Sequence, residues 1–331
     1  MKHIAALTRQ GIVSAEGRPT SGMMDINGRK LYVETYGNIE RPAVAFLHGG
    51  PGTSCVEQRE MASLLGERYF IVSFDQFGVF RSEAPQEGER FGMREHIDQL
   101  EELRKALGLR SWSLLGHSYG GMLVCYYTYY YPRSIDVAMY ENPSWCFYDD
   151  VKYLAQMYID LYFDDHPDEK EGLAAAQYIL NKNYSGHEDE AMWDILKAQS
   201  YVKDKRVTMY MHSIEPDAYF NTFEDCFREL EMTDEDKAEM DRKELAHLNA
   251  LNSAGEINED HRSKIAAIQN PSLLLVGQYD PVCPEAEREF FRHSALNGEV
   301  VVLPNSAHHP RLEDKGMYKD AVFAFMKRHV G

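Results

Sequence analysis

WSLLGHSYGGMLVCYYTYYYP, residues 112–132, decides the fold of this chain. WSLLG is a short apolar run of the kind that forms a buried strand. GMLVCYYTYYYP can continue as a helix. Between them Gly116-His117-Ser118-Tyr119-Gly120 fits the pattern G-x-S-x-G. A strand that turns sharply into a helix lifts the central serine out of the sheet in a strained conformation. Glycines two before and two after it remove side chains that would collide there. The helix start behind the serine adds free N–H groups and the positive end of a dipole. The pattern alone recurs by chance in glycine-rich chains; the strand before it and the helix after it make Ser118 a candidate nucleophile.

Working outward, the same rhythm repeats. Apolar runs AVAFLH (43–48), YFIVSFD (69–75), DVAMY (136–140), SLLLVG (272–277) and EVVVLP (299–304) read as buried strands. Helix-length segments lie between most of them. In MREHIDQLEELRKALGL, Ile97, Leu100, Leu103 and Leu107 share one face. Strand-helix alternation implies a mostly parallel sheet covered on both sides. Ahead of it, Asn27-Gly28 between two strand-like runs reads as a tight hairpin. The alternation breaks between about residues 143 and 265, where the chain turns acidic, aromatic and helical, with RVTMYMH (206–212) as one short extended candidate. The expected organisation is a core over 1–142 and 266–331 with a helical cap over 143–265. In an open parallel sheet ligands bind beyond the carboxyl ends of the strands, so an insertion there would form a lid.

Three other strand ends carry chemistry. His48-Gly49-Gly50-Pro51-Gly52 follows AVAFL, and its backbone can approach a ligand closely. Acyl transfer needs two N–H groups aimed at the developing oxyanion. Tyr119, next to the serine, supplies one, and Gly50 is the choice for the other ahead of Gly49. Asp280, in GQYDPV after SLLLVG, can hold a histidine in the needed tautomer. NSAHHP follows the last strand and offers His308 and His309. The order Ser, Asp, His, each after a strand, is that of the α/β-hydrolase fold.

Composition narrows the classes. The chain has 331 residues, 44% hydrophobic and 27% charged, with a net charge of −18. That charge argues against nucleic acid and anionic membranes as partners. No apolar run is long enough to span a membrane, and MKHIAALTRQ lacks a signal-peptide core. Five cysteines, with no zinc-type spacing, fit a reducing, cytoplasmic setting and no metal or other cofactor.

HGGPG, GHSYGG, GQYDPVCP and SAHHPRLE together resemble the proline iminopeptidase (prolyl aminopeptidase) family of α/β-hydrolases, over about residues 20–142 and 266–331. The resemblance implies a metal-independent serine triad that removes an N-terminal residue, often proline, from small peptides or amides. It implies a helical cap whose acids bind the free amino group. The family's final motif, G-H-x-x-x-x-E, aligns with Ala307 to Glu313 when His308 takes the histidine position. His308 is then the base, and His309, held extended before Pro310, lines the rim or packs beside the cap. FDQFGVFRS departs from the family's DQxGxGxS: Phe77 stands where arginine is frequent and Phe80 where a second glycine is usual. These two aromatics become candidates for reshaping the acyl pocket. Glu141, Glu215 and Asp217 are candidates for the amino group, each balanced against a solvated surface charge. Two rivals stand beside the aminopeptidase reading: an esterase or lactonase with the same triad, and a binding protein that turns nothing over.

Overall fold

The computed structural model describes residues 20–86, 88–202, 209–214 and 217–330. An antiparallel hairpin, β1 (Ser21–Ile26) and β2 (Arg29–Tyr36), opens the chain. Its turn puts Asn27 at φ 54° and Gly28 at φ 85°, the left-handed pair that a two-residue hairpin requires. Then come β3 (Ala43–Leu47), α1 (Arg59–Leu65), β4 (Phe70–Phe74), α2 (Met93–Ala106), β5 (Trp112–His117), α3 (Tyr119–Tyr130) and β6 (Ile135–Glu141). The helices α4 (Phe147–Leu161), α5 (Lys170–Asn181), α6 (Glu190–Ser200), α7 (Asp217–Glu229), α8 (Asp234–Ala254) and α9 (Arg262–Ala267) follow. The chain closes with β7 (Ser272–Gly277), α10 (Glu285–Ser294), β8 (Gly298–Leu303), α11 (Pro310–Glu313) and α12 (Lys315–His329).

The eight strands form one sheet in the order β1-β2-β4-β3-β5-β6-β7-β8. The hairpin joins β4 antiparallel, and every pair from β4 to β8 is parallel. Side chains alternate between two covered faces, as a two-residue period demands. Ala43, Ala45 and Leu47 face one core with α2 and α3, while Val44 and Phe46 face the other with α1 and α12. Leu274 and Val276 against Leu273 and Leu275 repeat the pattern in β7. At the edge, β8 is only partly buried, unlike the fully covered strand that its valines suggest.

Between β6 and β7 the described residues form helices. Tyr158, Ile179 and Ile195 of α4 to α6 pack into a cluster of their own, separate from the two sheet cores. The expected boundary at residue 265 falls inside α9, whose Ile265 packs into a sheet core. Of RVTMYMH, residues 206–208 lie outside the described residues, and Tyr210 stands in a turn.

Candidate active site

Because β3, β5, β6, β7 and β8 are parallel, the segments leaving their carboxyl ends gather at one edge of the sheet. Ser118 leaves β5 at φ 53°, ψ −118°. A non-glycine residue held there carries on the order of 1–3 kcal/mol of strain. The surroundings enforce it: the Ser118 N–H donates to the Glu141 carbonyl at 2.8 Å, and its own carbonyl accepts from the Gly121 N–H at 2.9 Å. A Cβ at Gly116 would lie 2.2 Å from the Gly120 carbonyl oxygen, and one at Gly120 would lie 2.4 Å from that of Leu47. Both glycines of the motif are therefore demanded by close backbone approach.

The HGGPG loop is fixed by the segment after β4. The Gln76 N–H donates to His48 Nε2 at 2.9 Å, and the Gln76 amide donates to the His48 carbonyl at 2.8 Å. His48 must then carry its proton on Nδ1, 3.0 Å from the Gly49 carbonyl. Burial keeps this imidazole neutral. Asp75 anchors the turn beyond the loop, accepting from Ser54 Oγ at 2.6 Å, the Cys55 N–H at 3.1 Å and Arg81 Nε at 2.6 Å. The Gly49 N–H donates to Glu57 at 3.1 Å, so Gly49 is engaged elsewhere and supports the loop. Gly50, at φ 108°, lines the cavity beside Ser118 and Tyr119.

Asp280 and His308 are joined. His308 Nδ1 stands 2.7 Å from Asp280 Oδ1, which places the ring proton on Nδ1 and leaves Nε2 as the acceptor. Asp280 also accepts from the N–H groups of Val282 at 3.2 Å and Cys283 at 2.9 Å, which lock its rotamer. Glu313 holds the histidine loop by accepting from the Ala307 N–H at 2.9 Å. Its other oxygen takes the N–H groups of His212 at 2.6 Å and Ser213 at 2.9 Å from the inserted segment. Asn142 clamps the loop from below, donating to the Ala307 carbonyl and accepting from the Gly277 N–H, each at 2.9 Å. Asn142→Ala strands both buried groups, and a loss of about 2–4 kcal/mol of stability is expected in urea unfolding, together with a lower kcat.

His309 has different company. Its Nδ1 faces the Arg311 guanidinium at 3.4 Å, and its ring packs on Tyr219 of α7 with centroids 5.0 Å apart. Burial, reinforced by Arg311, holds its pKa well below the ordinary histidine value. It forms a buried part of the cavity wall, at 8% exposure, and not the rim. The two rings meet edge to face, 5.4 Å apart. His117 completes the cluster, 4.7 Å from His308 and 5.1 Å from His309, and burial keeps it neutral as well.

Ser118, His117, Tyr119, Gly50, His308 and His309 share a cavity of about 220 Å³. The inserted helices close it with Phe147, Leu154, Met192, Ile195, Leu196, Tyr219 and Leu248. Among the described residues, three carboxylates line it: Glu57, Asp150 and Glu244. None was a sequence candidate. Glu57 sits in the turn directly after HGGPG, a proximity that could have pointed to it. Asp150 lies in the first turn of α4. Glu244 has no local signal, since α8 is charged along most of its length. Gly52 makes its approach possible: a Cβ there would lie 2.8 Å from the Glu244 side chain.

Of the acidic candidates named from sequence, the two within the described residues do not take this place. Glu141 is fully buried behind the cavity, accepting from Arg311 at 2.6 Å and the Tyr318 hydroxyl at 2.8 Å. Asp217 is exposed at the start of α7, whose Tyr219 reaches the cavity instead. Glu215 lies outside the described residues. Phe77 packs on Phe91 at 4.9 Å and lies under Arg29, away from the cavity. Phe80, at φ 37°, meets Phe227 edge to face at 6.1 Å. Neither lines the pocket: Phe77 packs into a sheet core and Phe80 against α7.

Arg311 ties these parts together. It is fully buried between Glu141 and Glu57, with Nη2 3.3 Å from Glu57. Burial opposes its charge, yet the two carboxylates hold its pKa above the ordinary value. Arg311→Met leaves both acids buried without a cation, and a loss of about 3–5 kcal/mol is expected, read as a lower urea midpoint.

Residues 42–315 match the family described by the alpha/beta hydrolase fold. The chain is 23% identical over 320 residues to a proline iminopeptidase of Heyndrickxia coagulans, covering 93% of this chain and 98% of that one. It is 26% identical over 286 residues to a proline iminopeptidase of Saccharolobus solfataricus, covering 85% and 83%. Among solved structures, a proline iminopeptidase-related protein from Thermus thermophilus superposes with a TM-score of 0.69 at 21% identity, covering 94% of this chain and 98% of that one. With a sheet of this order and a match across most of its length, the chain belongs to the alpha/beta hydrolase fold family.

Proposed function

We propose that the protein is a serine hydrolase of the aminopeptidase or amidase type, cleaving an N-terminal residue from small peptides or amides through an acyl-enzyme. The observation that carries this reading is the 2.7 Å Asp280–His308 pair, whose histidine lines the same cavity as Ser118. Asp280 fixes the His308 tautomer, so Nε2 is free to take the Ser118 proton as Oγ attacks the carbonyl. The N–H groups of Gly50 and Tyr119 receive the developing oxyanion. His308 returns the proton to the leaving amine, and water then releases the acyl group by the same route in reverse.

The choice of an amine-bearing substrate rests on the acidic cavity and on the relatives' names. Glu244, which α8 brings over the HGGPG loop and into the cavity lining, is the anchor proposed for a substrate ammonium. The net charge of −18 suits such a substrate and disfavours nucleic acid or an anionic membrane as partners. Five buried, unpaired cysteines are in keeping with a cytoplasmic setting.

A panel of aminoacyl-naphthylamides against amine-free acyl nitrophenyl esters tests this. Preferential turnover of free-amine amides is expected, with Glu244→Gln lowering kcat/KM for them about 10–100-fold, chiefly through KM, as loss of one charge-assisted contact implies. Preference for amine-free esters, or an unchanged KM in Glu244→Gln, would sink the aminopeptidase assignment.

A further inference from the structure

One group in the cavity wall is unused by this mechanism. Asp150, in the first turn of α4, is 2% exposed and lines the cavity. Its Oδ2 accepts from the Ser144 hydroxyl, while its Oδ1 is buried with no hydrogen-bond partner. Phe147 and Leu154, one turn away on either side along α4, line the same cavity, and Ile195 of α6 joins them. The charged groups that act on Asp150 are acids: Glu287, Asp149 and Asp280. The nearby guanidinium of Arg262 is engaged by Asp149 and Asp260, at 2.9 and 2.8 Å. Burial first, and these like charges second, raise the Asp150 pKa well above the ordinary carboxylate value. The protonated form that burial favours can donate one hydrogen bond and accept another.

We infer that Asp150 and Ser144 form a neutral hydrogen-bonding subsite in this cavity, which takes a substrate side chain with an apolar stem and a hydroxyl or carboxamide tip. The apolar neighbours suit the stem. The unpartnered carboxyl oxygen is the group that the tip would satisfy. A cationic tip would have to ionise Asp150 among three other acids in a desolvated wall, and an anionic tip would add a fourth. The inference rests on the hydrolase reading and deepens it by naming the side-chain class.

The test uses substrate pairs of nearly equal size that differ at the tip. Aminoacyl-naphthylamides of glutamine and methionine, and of threonine and valine, probe two depths, and lysine against 2-aminoheptanoate probes charge. Nitrophenyl esters of 6-hydroxyhexanoate and heptanoate ask the same question without an amino group. The wild type is expected to favour the polar member of at least one neutral pair by about tenfold or more in kcat/KM. Asp150→Asn, which keeps a neutral donor and acceptor, should retain that ratio. Asp150→Leu should abolish or reverse it while turnover of the apolar member persists. Ser144→Ala serves as the second variant if Asp150→Leu does not fold, and a reduced ratio is expected. No polar preference in any neutral pair, or a preference that survives both Asp150→Leu and Ser144→Ala, overturns the inference. So does a lysine preference lost in Asp150→Asn, which would make Asp150 an ionised cation site. If esters are turned over and amides are not, the aminopeptidase reading falls, and the ester pair alone decides the subsite. Absence of turnover in both series counts against both.

Discussion

Ser118→Ala is expected to lower kcat by a factor of roughly 10⁴–10⁶ while leaving substrate affinity nearly intact. The serine hydroxyl is the only part of the elbow that forms a bond to the substrate in the proposed route. The turn itself is built by Gly116, Gly120 and the Ser118 N–H, all of which survive the substitution. The folded protein should therefore persist, and relief of a single polar group should leave the unfolding midpoint close to that of the wild type. A fluorophosphonate probe should label the wild type and fail to label Ser118→Ala. Substantial residual turnover in the variant would dismiss the acyl-enzyme route, whereas failure of the wild type to label would revive the binding reading.

The second large effect separates the adjacent histidines. His308→Ala should cost kcat about as much as Ser118→Ala, and the double variant should be little worse than either single one, because residues acting as one unit are not additive. His309→Ala should mainly raise KM severalfold. The reason is electrostatic. His308 faces the Asp280 carboxylate at 2.7 Å, which stabilises an imidazolium during the reaction. His309 faces the Arg311 guanidinium at 3.4 Å, which opposes one. A collapse of kcat in His309→Ala with a mild effect in His308→Ala would show the register to be wrong by one residue.

Which parts of this site were legible in the sequence follows from how each part is specified. The elbow, the HGGPG loop and the Asp280 turn are local: a strand, a short loop and the residue type at its tip determine them. Parallel strands then bring their ends to one edge without any further information. The acids were a different matter. Glu141 ends a strand at that same edge, which made it a candidate, but the loop carrying Arg311 folds over it and buries it completely. Whether Asp150 or Glu244 faces the cavity depends on how α4 and α8 rotate against the sheet. That rotation is decided by packing among distant segments, and α8 has only His247, Leu248 and Leu251 buried to signal a face. Phe77 and Phe80 misled for a related reason: their loop follows β4, whose exit is occupied by the Asp75–Arg81 pair and not by the cavity.

The His308 N–H donates to the Tyr210 carbonyl at 2.9 Å, and the Glu313 carboxylate binds the His212 and Ser213 amides. The segment over the cavity is thus bonded to the loop that carries the general base. Any displacement of that segment would break those bonds and loosen the base. Occupancy that holds the segment down should slow hydrogen exchange at the His308 amide, a site remote from solvent contact with the ligand itself. Exchange at that amide, followed by mass spectrometry with and without a tight inhibitor, would then measure the free energy coupling cavity occupancy to the ordering of the base-bearing loop.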